Sequence, residues 1–588
     1  MNPALSRLKN FLKDQKIDFL LLPNSDEFFS EILPESEKRI QSLTGFAGSN
    51  AIVIFGQKKS YFFTDGRYIL QANQQLDLAE FEIFNIATTP LFSWLEDNIG
   101  KQNKLALDAK LSSVEFVKKL SCDLVFFDCK EQILKQVQDD IFACPAPNIP
   151  YRHPELVSGF IFQLPENLSG LNSFSKRKLV LQAIEGDAMM ITKPENLCWL
   201  LNIRASDVEF TPLLLAYGIL FKNGEMDLFV DEKRAKNLDL EKVNFVQPDC
   251  LDLRISVLRK ELKKIQLNES ATNYWLYSLL EKSGFEIISK KDPCEILKAQ
   301  KNSAEIEGAI KAHEADGLAL TKFLFWLTNA GEIDEIKAAE TLLEFRKENP
   351  DFLYPSFSTI AGFASNGAVI HYHATTKTNK KISGNSLLLL DSGGQYFGKD
   401  FCGTTDVTRT IAIGKPTAEM IENFTRVLKG HIALALARFP IGTSGAQLDV
   451  LARQYLWQVG LDYDHGTGHG VGSFLLVHEC PQNVSRRGHQ PLLPGMIISN
   501  EPGFYKENEY GIRIENLMLV EKESDKFLCF KTLTLVPIDP RLVDFKMLTQ
   551  DEKKWLCDYH RQIFDVLESG LNSDEKSWLD NLCSNFFV

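Results

Sequence analysis

Three shortages narrow this sequence before any motif is read. None of its 11 cysteines is spaced Cys-x-x-Cys from another, and no spacing repeats; that fits reduced thiols in a cytosolic protein better than a disulfide framework. Positive charge is in deficit. Against 78 Asp and Glu stand 65 Lys and Arg, a formal charge of -13 and a pI near 5.4. With no basic run interleaved with aromatics, nucleic acid is not an expected partner. Long apolar runs are lacking too. The segment Ile17 to Pro23 is too short to span a bilayer, and Leu5, Leu8 and Leu12 recur as one helical face where a signal peptide would carry an unbroken apolar core. The expectation is a cytoplasmic protein with no membrane partner.

What remains is an ordinary globular composition, 44% hydrophobic and 24% charged, on a chain long enough for about three domains. Residues 1–128 alternate helical stretches with short apolar strands at Asp18 to Leu22, Ala51 to Phe55 and Ser60 to Phe63, an α/β pattern. Two phrases, Leu43 to Ser49 and Phe63 to Tyr68, read as turns flanking strands; the functional alternative has Arg67 reaching a ligand or a neighbouring domain. In the stretch 129–165, Pro145, Pro147, Pro150 and Pro154 crowd together and exclude regular helix or a central strand, so it reads as a linker or surface insertion. A second α/β unit covers 166–291, with strands at Ala188 to Thr192, Ile219 to Phe221 and Met226 to Val230 and a helix over Leu251 to Lys264. Its likeness in pattern to the first hints at duplication. The remainder, 292–588, opens with a long helix over 302–328 carrying His313, which reads as structural, and holds nearly all the clustered acids and imidazoles.

The densest signal runs from His465 to Glu479, where three of the ten histidines lie among Gly466, Gly468, Gly470 and Gly472. Each glycine costs a helix interior about 1 kcal/mol relative to alanine, so His465 and His469 are not successive turns of one helix. That excludes the His-Glu-x-x-His zinc pattern and points to an extended edge where a substrate approaches the main chain. Around it, the apolar strand Leu387 to Leu390 runs into Asp391, and Gly403 to Thr410 carries Asp406 on a strand-like alternation with Thr408 on the same face. Ile497 to Asn500 runs into Glu501 before Pro502-Gly503, and Gly511 to Asn516 alternates Arg513 and Glu515 with Ile512 and Ile514. Any one of these acids serves equally well as a strand-end cap or an ion-pair partner. Together, four converging carboxylates repel and force protonation at neutral pH. Two divalent cations remove that penalty, and hard oxygen donors with one imidazole suit manganese or a similar ion.

In chain order, Asp391 (Leu-Asp-Ser-Gly), Asp406 (Thr-Thr-Asp-Val-Thr-Arg), His469 (His-Gly-Thr-Gly-His-Gly-Val-Gly), Glu501 (Glu-Pro-Gly-Phe-Tyr) and Glu515 (Ile-Arg-Ile-Glu-Asn) resemble the five metal ligands of the pita-bread metallopeptidases. Within these the sequence is most similar to the aminopeptidase P, or Xaa-Pro aminopeptidase, family in its long three-domain form. Phe-Thr-Asp-Gly-Arg-Tyr near the start and Leu-Thr-Leu-Val-Pro-Ile-Asp near the end extend the likeness over nearly the whole chain. The resemblance implies two creatinase-like N-terminal α/β domains, residues 1–128 and 166–291, followed by a C-terminal pita-bread catalytic domain with a C-terminal extension, 292–588. It also implies two divalent ions, usually Mn2+ with Zn2+ or Co2+ as alternatives, a homodimer, and peptide substrates with proline at the second position.

On the same resemblance Asp391 chelates one ion, Asp406 and Glu515 bridge both, and His469 and Glu501 complete the other. A metal-bridged hydroxide attacks while Glu501 relays its proton, and His478 donates to the oxyanion. His371 lines the proline side or shuttles protons, and His465 contacts the residue after the scissile bond. Arg67 is expected at the substrate, and Arg513 orients a ligand carboxylate or shields the cluster's charge. Two departures stand out: Tyr-Phe-Gly-Lys-Asp-Phe-Cys between Asp391 and Asp406, and the proline-rich stretch, both longer than the family pattern. The rival readings are a prolidase restricted to Xaa-Pro dipeptides, a methionine aminopeptidase, and a metal-free pita-bread domain serving as a peptide- or histone-binding module. Intact ligand positions argue against the last.

Overall fold

The computed structural model describes residues 3–127 and 161–586, and these fall into two units. In the first, drawn from Met1–Leu164, Asn172–Glu209 and Leu213–Cys294, two six-stranded sheets repeat one plan. One sheet runs Phe81–Asn85, Ser60–Thr64, Ile52–Gly56, Phe19–Pro23, Lys104–Leu107, Asp123–Phe126; the other runs Val243–Val246, Met226–Phe229, Tyr217–Phe221, Ala188–Ile191, Lys264–Leu267, Glu286–Ser289. Across both, successive neighbours pair parallel, antiparallel, antiparallel, parallel, parallel. The duplication hinted at by the sequence pattern is therefore a duplication of topology.

The two copies meet reciprocally at helix N-termini, whose first N–H groups have no partner within their own helix. The helices are Val114–Lys118 and Tyr274–Lys282, capped by the side chains of Ser113 and Asn273. Val114 N–H donates to the Thr272 carbonyl at 3.0 Å and Tyr274 N–H to that of Ser112 at 2.8 Å; Glu115 donates to Glu269 at 3.1 Å and Trp275 to Ala109 at 2.9 Å. Each copy thus satisfies the other's orphan donors.

Two expectations need correcting here. The helix expected over Leu251 to Lys264 ends at Leu258, because Ile265 and Leu267 bury their alternating side chains in the sheet and the N–H groups of Lys263 and Lys264 turn onto Asp187 Oδ2 at 2.8 Å each. The proline-rich stretch lies outside the described residues up to 160, but Phe162–Gln163 already pairs antiparallel with Ile203–Arg204, so regular structure resumes inside the segment read as a linker.

The second unit opens with the helix Ser303–Asn329, started by a capping box between Asn302 and Glu305. Two sheets position its chemistry. In one, Ser386–Ser392 lies between Ile360–Phe363 and Val407–Ile413. The other runs Arg438–Pro440, Phe527–Thr532, Asn516–Lys522, Ile497–Asn500, Gly468–Gly470, Glu479–Val484. Helices Ala418–Ala435, Gln550–Leu567 and Ser573–Ser584 close over them with Phe424, Val427, Leu428, Leu556, Ile563 and Leu579 in one core, each buried side chain contributing roughly 1.5–3 kcal/mol. The residues between Asp391 and Asp406 form a hairpin, Gly394–Phe397 with Cys402–Thr404, which pairs with Phe352–Pro355. The Asp391 strand stays in register with Val407–Ile413, Asp391 opposite Thr408. Among the described residues no helix is long and apolar enough to cross a membrane.

Candidate metal centre

Four of the five sequence-selected residues sit at the end or the interruption of a strand, and His469 lies within one. Asp391 is the penultimate residue of Ser386–Ser392, and His469 is the centre of the three-residue strand Gly468–Gly470, extended as the glycines suggested. Glu501 follows Ile497–Asn500. The other two correct the simple alternation. Asp406 falls in the gap between Cys402–Thr404 and Val407–Ile413, and Glu515 in the gap between Tyr510–Arg513 and Asn516–Lys522. Alternation along a regular strand would fix their direction by parity; a break releases both to turn inward. Gly468 and Gly470 are required by close approach. A Cβ on the first would lie 1.9 Å from the Ser499 carbonyl oxygen, and on the second 2.4 Å from that of Glu479.

The ligand atoms of Asp391, Asp406 and Glu515 lie within 4.8 Å of one another, as do those of His469, Glu501 and Glu515, and those of Asp406, His469 and His478. His469 Nδ1 faces the Gly470 carbonyl at 2.9 Å, which assigns the proton to Nδ1 and leaves Nε2 pointing at Asp406 Oδ2 and Glu501 Oε1, 3.4 Å from each. Burial drives the electrostatics. It raises the Asp391 carboxyl to about 6, opposed by Arg513 and reinforced by Asp406 and Glu501, and it lifts Glu515 well above the usual range, with Asp406, Glu501 and Asp391 adding to the effect. For His469 burial alone would lower the pKa, but the hydrogen bond to Asp406 and the charges of Glu501 and Asp406 prevail and raise it to about 9.

Two buried carboxylate oxygens, Asp391 Oδ1 and Glu515 Oε1, have no hydrogen-bond partner. An unsatisfied buried acceptor costs about 1–3 kcal/mol, more when charged. The inward-facing set is acceptor-only, oxygens with one imidazole nitrogen, and fits hard divalent cations. Other carboxylate oxygens of the cluster are partnered. Glu515 Oε2 accepts from Thr408 Oγ1 at 2.7 Å and Glu501 Oε1 from Ser499 Oγ at 3.1 Å. Arg513 donates to Asp391 Oδ2, to Tyr505 at 2.7 Å and to Thr408 at 3.2 Å, so its guanidinium is engaged with the cluster.

The remaining predicted residues are placed as follows. Tyr505 hydroxyl contacts His465 Nε2 at 2.8 Å while His465 Nδ1 faces the Gly466 carbonyl at 2.7 Å, giving a relay from Arg513 through Tyr505 to the imidazole. The His478 ring meets that of His469 edge-on, centroids 4.2 Å apart. His371 is flanked by Ile370, whose carbonyl accepts from Arg513, and Tyr372, whose hydroxyl donates to buried Glu335 at 2.8 Å. Arg67 belongs to the first unit, in the turn after Ser60–Thr64, with Nε and Nη2 on Asp65 at 2.9 and 2.8 Å. Sequence reading passed over Tyr505, Ser499 and Arg409. The first stood in plain view in Glu-Pro-Gly-Phe-Tyr, but its role needs the hairpin that carries it back to Arg513.

Residues 307–522 match metallopeptidase family M24 and 526–586 the C-terminal region of that peptidase; 5–136 and 152–305 each match a creatinase/prolidase N-terminal domain. Fold and acid cluster together define a metallopeptidase. Xaa-Pro aminopeptidase 1 of Dictyostelium discoideum is 34% identical over 99% of this chain and 96% of its own length, and the probable Xaa-Pro aminopeptidase P of Laccaria bicolor 35% over 99% and 93%. The solved X-prolyl aminopeptidase of Caenorhabditis elegans, described as a cytosolic enzyme with a di-nuclear active site, superposes with a TM-score of 0.89 at 30% identity, covering 99% of this chain and 98% of that one. The chain belongs to the Xaa-Pro aminopeptidases of metallopeptidase family M24. By comparison, the prolidase of Pyrococcus horikoshii covers 62% of the chain, with a TM-score of 0.51 at 25% identity.

Proposed function

We propose that the chain is a metal-dependent exopeptidase that releases the N-terminal residue from peptides whose second residue is proline, working with two divalent cations, Mn2+ foremost, as a cytoplasmic homodimer. The observation that carries the reading is the pair of buried, unpartnered oxygens, Asp391 Oδ1 and Glu515 Oε1, in an acceptor-only cluster with Asp406, His469 and Glu501. Those five residues would hold the ions. Bound there, two divalent cations cancel the carboxylates' repulsion, acidify water and polarise the scissile carbonyl.

The chain's own groups supply the rest. Glu501, its carboxylate steadied by Ser499 at 3.1 Å, takes the proton of the attacking water and hands it to the departing proline nitrogen. His478, beside His469, donates to the carbonyl oxygen as negative charge develops, a contribution worth about 3 kcal/mol. His465 and His371 face the residues beyond the scissile bond, Arg67 serves the substrate, and Arg513 tempers the charge of Asp391. The acid cluster also offers the negative partner that a free N-terminal amine requires.

We assign a first creatinase-like domain to 1–128, a second to 166–291 and the pita-bread domain with its extension to 292–588. The dimer is supported by exposed Ile441, Val450, Trp457, Val459 and Phe527 on neighbouring elements of the second unit. The cytosolic C. elegans neighbour, with its di-nuclear site, supports the compartment and the metal count. The test is hydrolysis of an Arg-Pro-Pro peptide and of an Xaa-Pro dipeptide by metal-stripped protein, each divalent ion being restored in turn. Cleavage of the longer peptide with Mn2+ is expected; cleavage of the dipeptide alone makes the protein a prolidase, and no cleavage with any ion ends the reading.

A further inference from the structure

Behind the acid cluster lies a cation that nothing in the chemistry above uses. Arg409 stands in the strand Val407–Ile413 opposite Leu390, 2% exposed, and among the described residues no carboxylate comes within ion-pairing distance of it. An arginine cannot shed its proton, so the charge is held entirely by neutral acceptors. Nη1 donates to the carbonyls of Glu515 at 2.7 Å and Thr408 at 2.8 Å; Nη2 donates to Asn516 Oδ1 at 2.8 Å, the Val536 carbonyl at 2.7 Å and the Tyr559 hydroxyl at 2.8 Å; Nε reaches the Val536 and Pro537 carbonyls at 3.3 and 3.2 Å.

These acceptors bracket Glu515. Its carbonyl and the side chain of the next residue, Asn516, are both held by Arg409, and its N–H donates to the Thr408 carbonyl at 3.1 Å. Its carboxylate is gripped separately by Thr408 Oγ1. Because Glu515 sits in a gap between strands, its backbone lacks the regular ladder that would otherwise fix it, and Arg409 takes the ladder's place. Tyr559 belongs to the helix Gln550–Leu567. Its hydroxyl meets Arg409, Asn516 Oδ1 at 3.3 Å and the Val536 carbonyl at 2.9 Å, and its ring stacks on Trp555 at 5.0 Å.

We infer that Arg409 and Tyr559 are positioning residues for Glu515, so that the C-terminal helix is part of the metal-binding apparatus and not only a cover for the core. The inference rests on the reading of Glu515 as a metal ligand. It needs no contact between Tyr559 and metal or substrate.

The test is titration of metal-stripped full-length protein with Mn2+, by calorimetry and by the electron paramagnetic resonance of free Mn2+. Tyr559→Phe keeps the stacked ring and removes only the hydroxyl; Arg409→Lys keeps the charge and loses the fork. Groups that support a ligand without touching the ion typically change metal affinity about 10–100-fold, and a weakening of that order is expected for Tyr559→Phe, with activity recovering at saturating Mn2+. Leu579→Ala, in the same core and remote from Arg409 in the hydrogen-bond network, is the comparison: it should lower Tm and leave Mn2+ affinity unchanged. Wild-type affinity in Tyr559→Phe overturns the inference, as does an equal loss in Leu579→Ala, which would mean that metal binding follows global stability. Glu515→Gln separates the two readings. If that variant still binds wild-type Mn2+ in full, the ligand assignment has failed, whatever Tyr559 does. Should Arg409→Lys not fold, Tyr559→Phe decides alone.

Discussion

Metal binding to this protein should release protons, and the amount follows from the cage. Without ions, and against burial, the hydrogen bond to Asp406 and the charges of Glu501 and Asp406 hold His469 up at about 9, so it carries a proton at pH 7 that must leave before Nε2 is free to ligate; burial pushes Glu515 in the same direction. For His469 the gap of two pH units corresponds to about 3 kcal/mol, or ~100-fold weaker apparent affinity at pH 7 than above pH 9. Affinity for Mn2+ should therefore rise with pH, by about a decade per unit for each proton displaced. Calorimetry at pH 6.5, 7.5 and 8.5 in buffers of different ionisation enthalpy measures the release directly. The expectation at pH 7.5 is about one proton per protein from His469. Binding heats independent of buffer, with an affinity flat across that range, would refute the reasoning, because the imidazole would then have to be neutral among the carboxylates.

The same shifts fix the pH dependence of metal-free stability. Asp391, Glu515 and His469 all have folded pKa values above their unfolded ones, so the native state binds more protons, and stability falls as pH rises. For Asp391 the window lies between about 4 and 6, and for His469 between about 6.5 and 9. Thermal melts of the stripped protein should show Tm decreasing from pH 5 to pH 9, and saturation with Mn2+ should largely abolish the slope.

Three substitutions probe other links. Asp406→Asn should remove turnover and at least one ion from the stoichiometry, a loss beyond the ~10–100-fold expected of a group that merely supports a ligand, checked by metal analysis and peptide hydrolysis. Gly470→Ala places a Cβ 2.4 Å from the Glu479 carbonyl oxygen; it should cost about 1–3 kcal/mol in denaturant melts and displace His469, weakening metal binding as well. Asp316→Asn leaves the Arg346 guanidinium buried without its counter-ion and should destabilise by about 3–5 kcal/mol, read as a large drop in Tm.

Much of this was legible in the chain because the chemistry sits on short, strongly punctuated segments. Leu387 to Leu390 before Asp391 and the Pro-Gly break after Glu501 say where a strand stops, and stopping points are where these side chains turn inward; the glycines around His469 mark an extended edge that packs close to its neighbours. The breaks at Asp406 and Glu515 were less legible, since Val407, Ile512 and Ile514 continue an alternation that suggests one unbroken strand. In the structure Ile514 is buried outside any strand; tertiary packing, which periodicity does not encode, overrides the pattern. Likewise Lys263 and Lys264 extend a plausible helix in the sequence, and it takes the long-range contacts with Asp187 and the burial of Ile265 and Leu267 in the sheet to make them lead into a strand. Topological duplication of the first unit survives in strand order and pairing, while the paired loops at Ser113 and Asn273 share too few residue types to announce themselves.

A cage of like charges cannot organise itself, so its geometry has to be imposed from outside, and the structure imposes it through the residues next to the functional ones. Ser392, after Asp391, accepts from Arg346 at 3.1 Å, and Thr405, before Asp406, donates to Asp316 at 2.9 Å; Arg346 and Asp316 are themselves a buried pair at 2.7 Å. Glu479, after His478, is buried between Lys298 and Lys301. Arg453, paired with Asp449 at 2.8 Å, holds the His465 carbonyl at 2.7 Å. Had these anchors bonded the functional atoms themselves, each would have occupied a lone pair that a cation needs. Anchoring the neighbour fixes direction and leaves the lone pair open. The unpartnered oxygens of Asp391 and Glu515 and the well-partnered residues beside them are therefore one feature: the protein meets the cost of rigidity with buried ion pairs and polar struts a residue away, where their charges are matched, and keeps the unmatched charge at the single point where a metal can answer it.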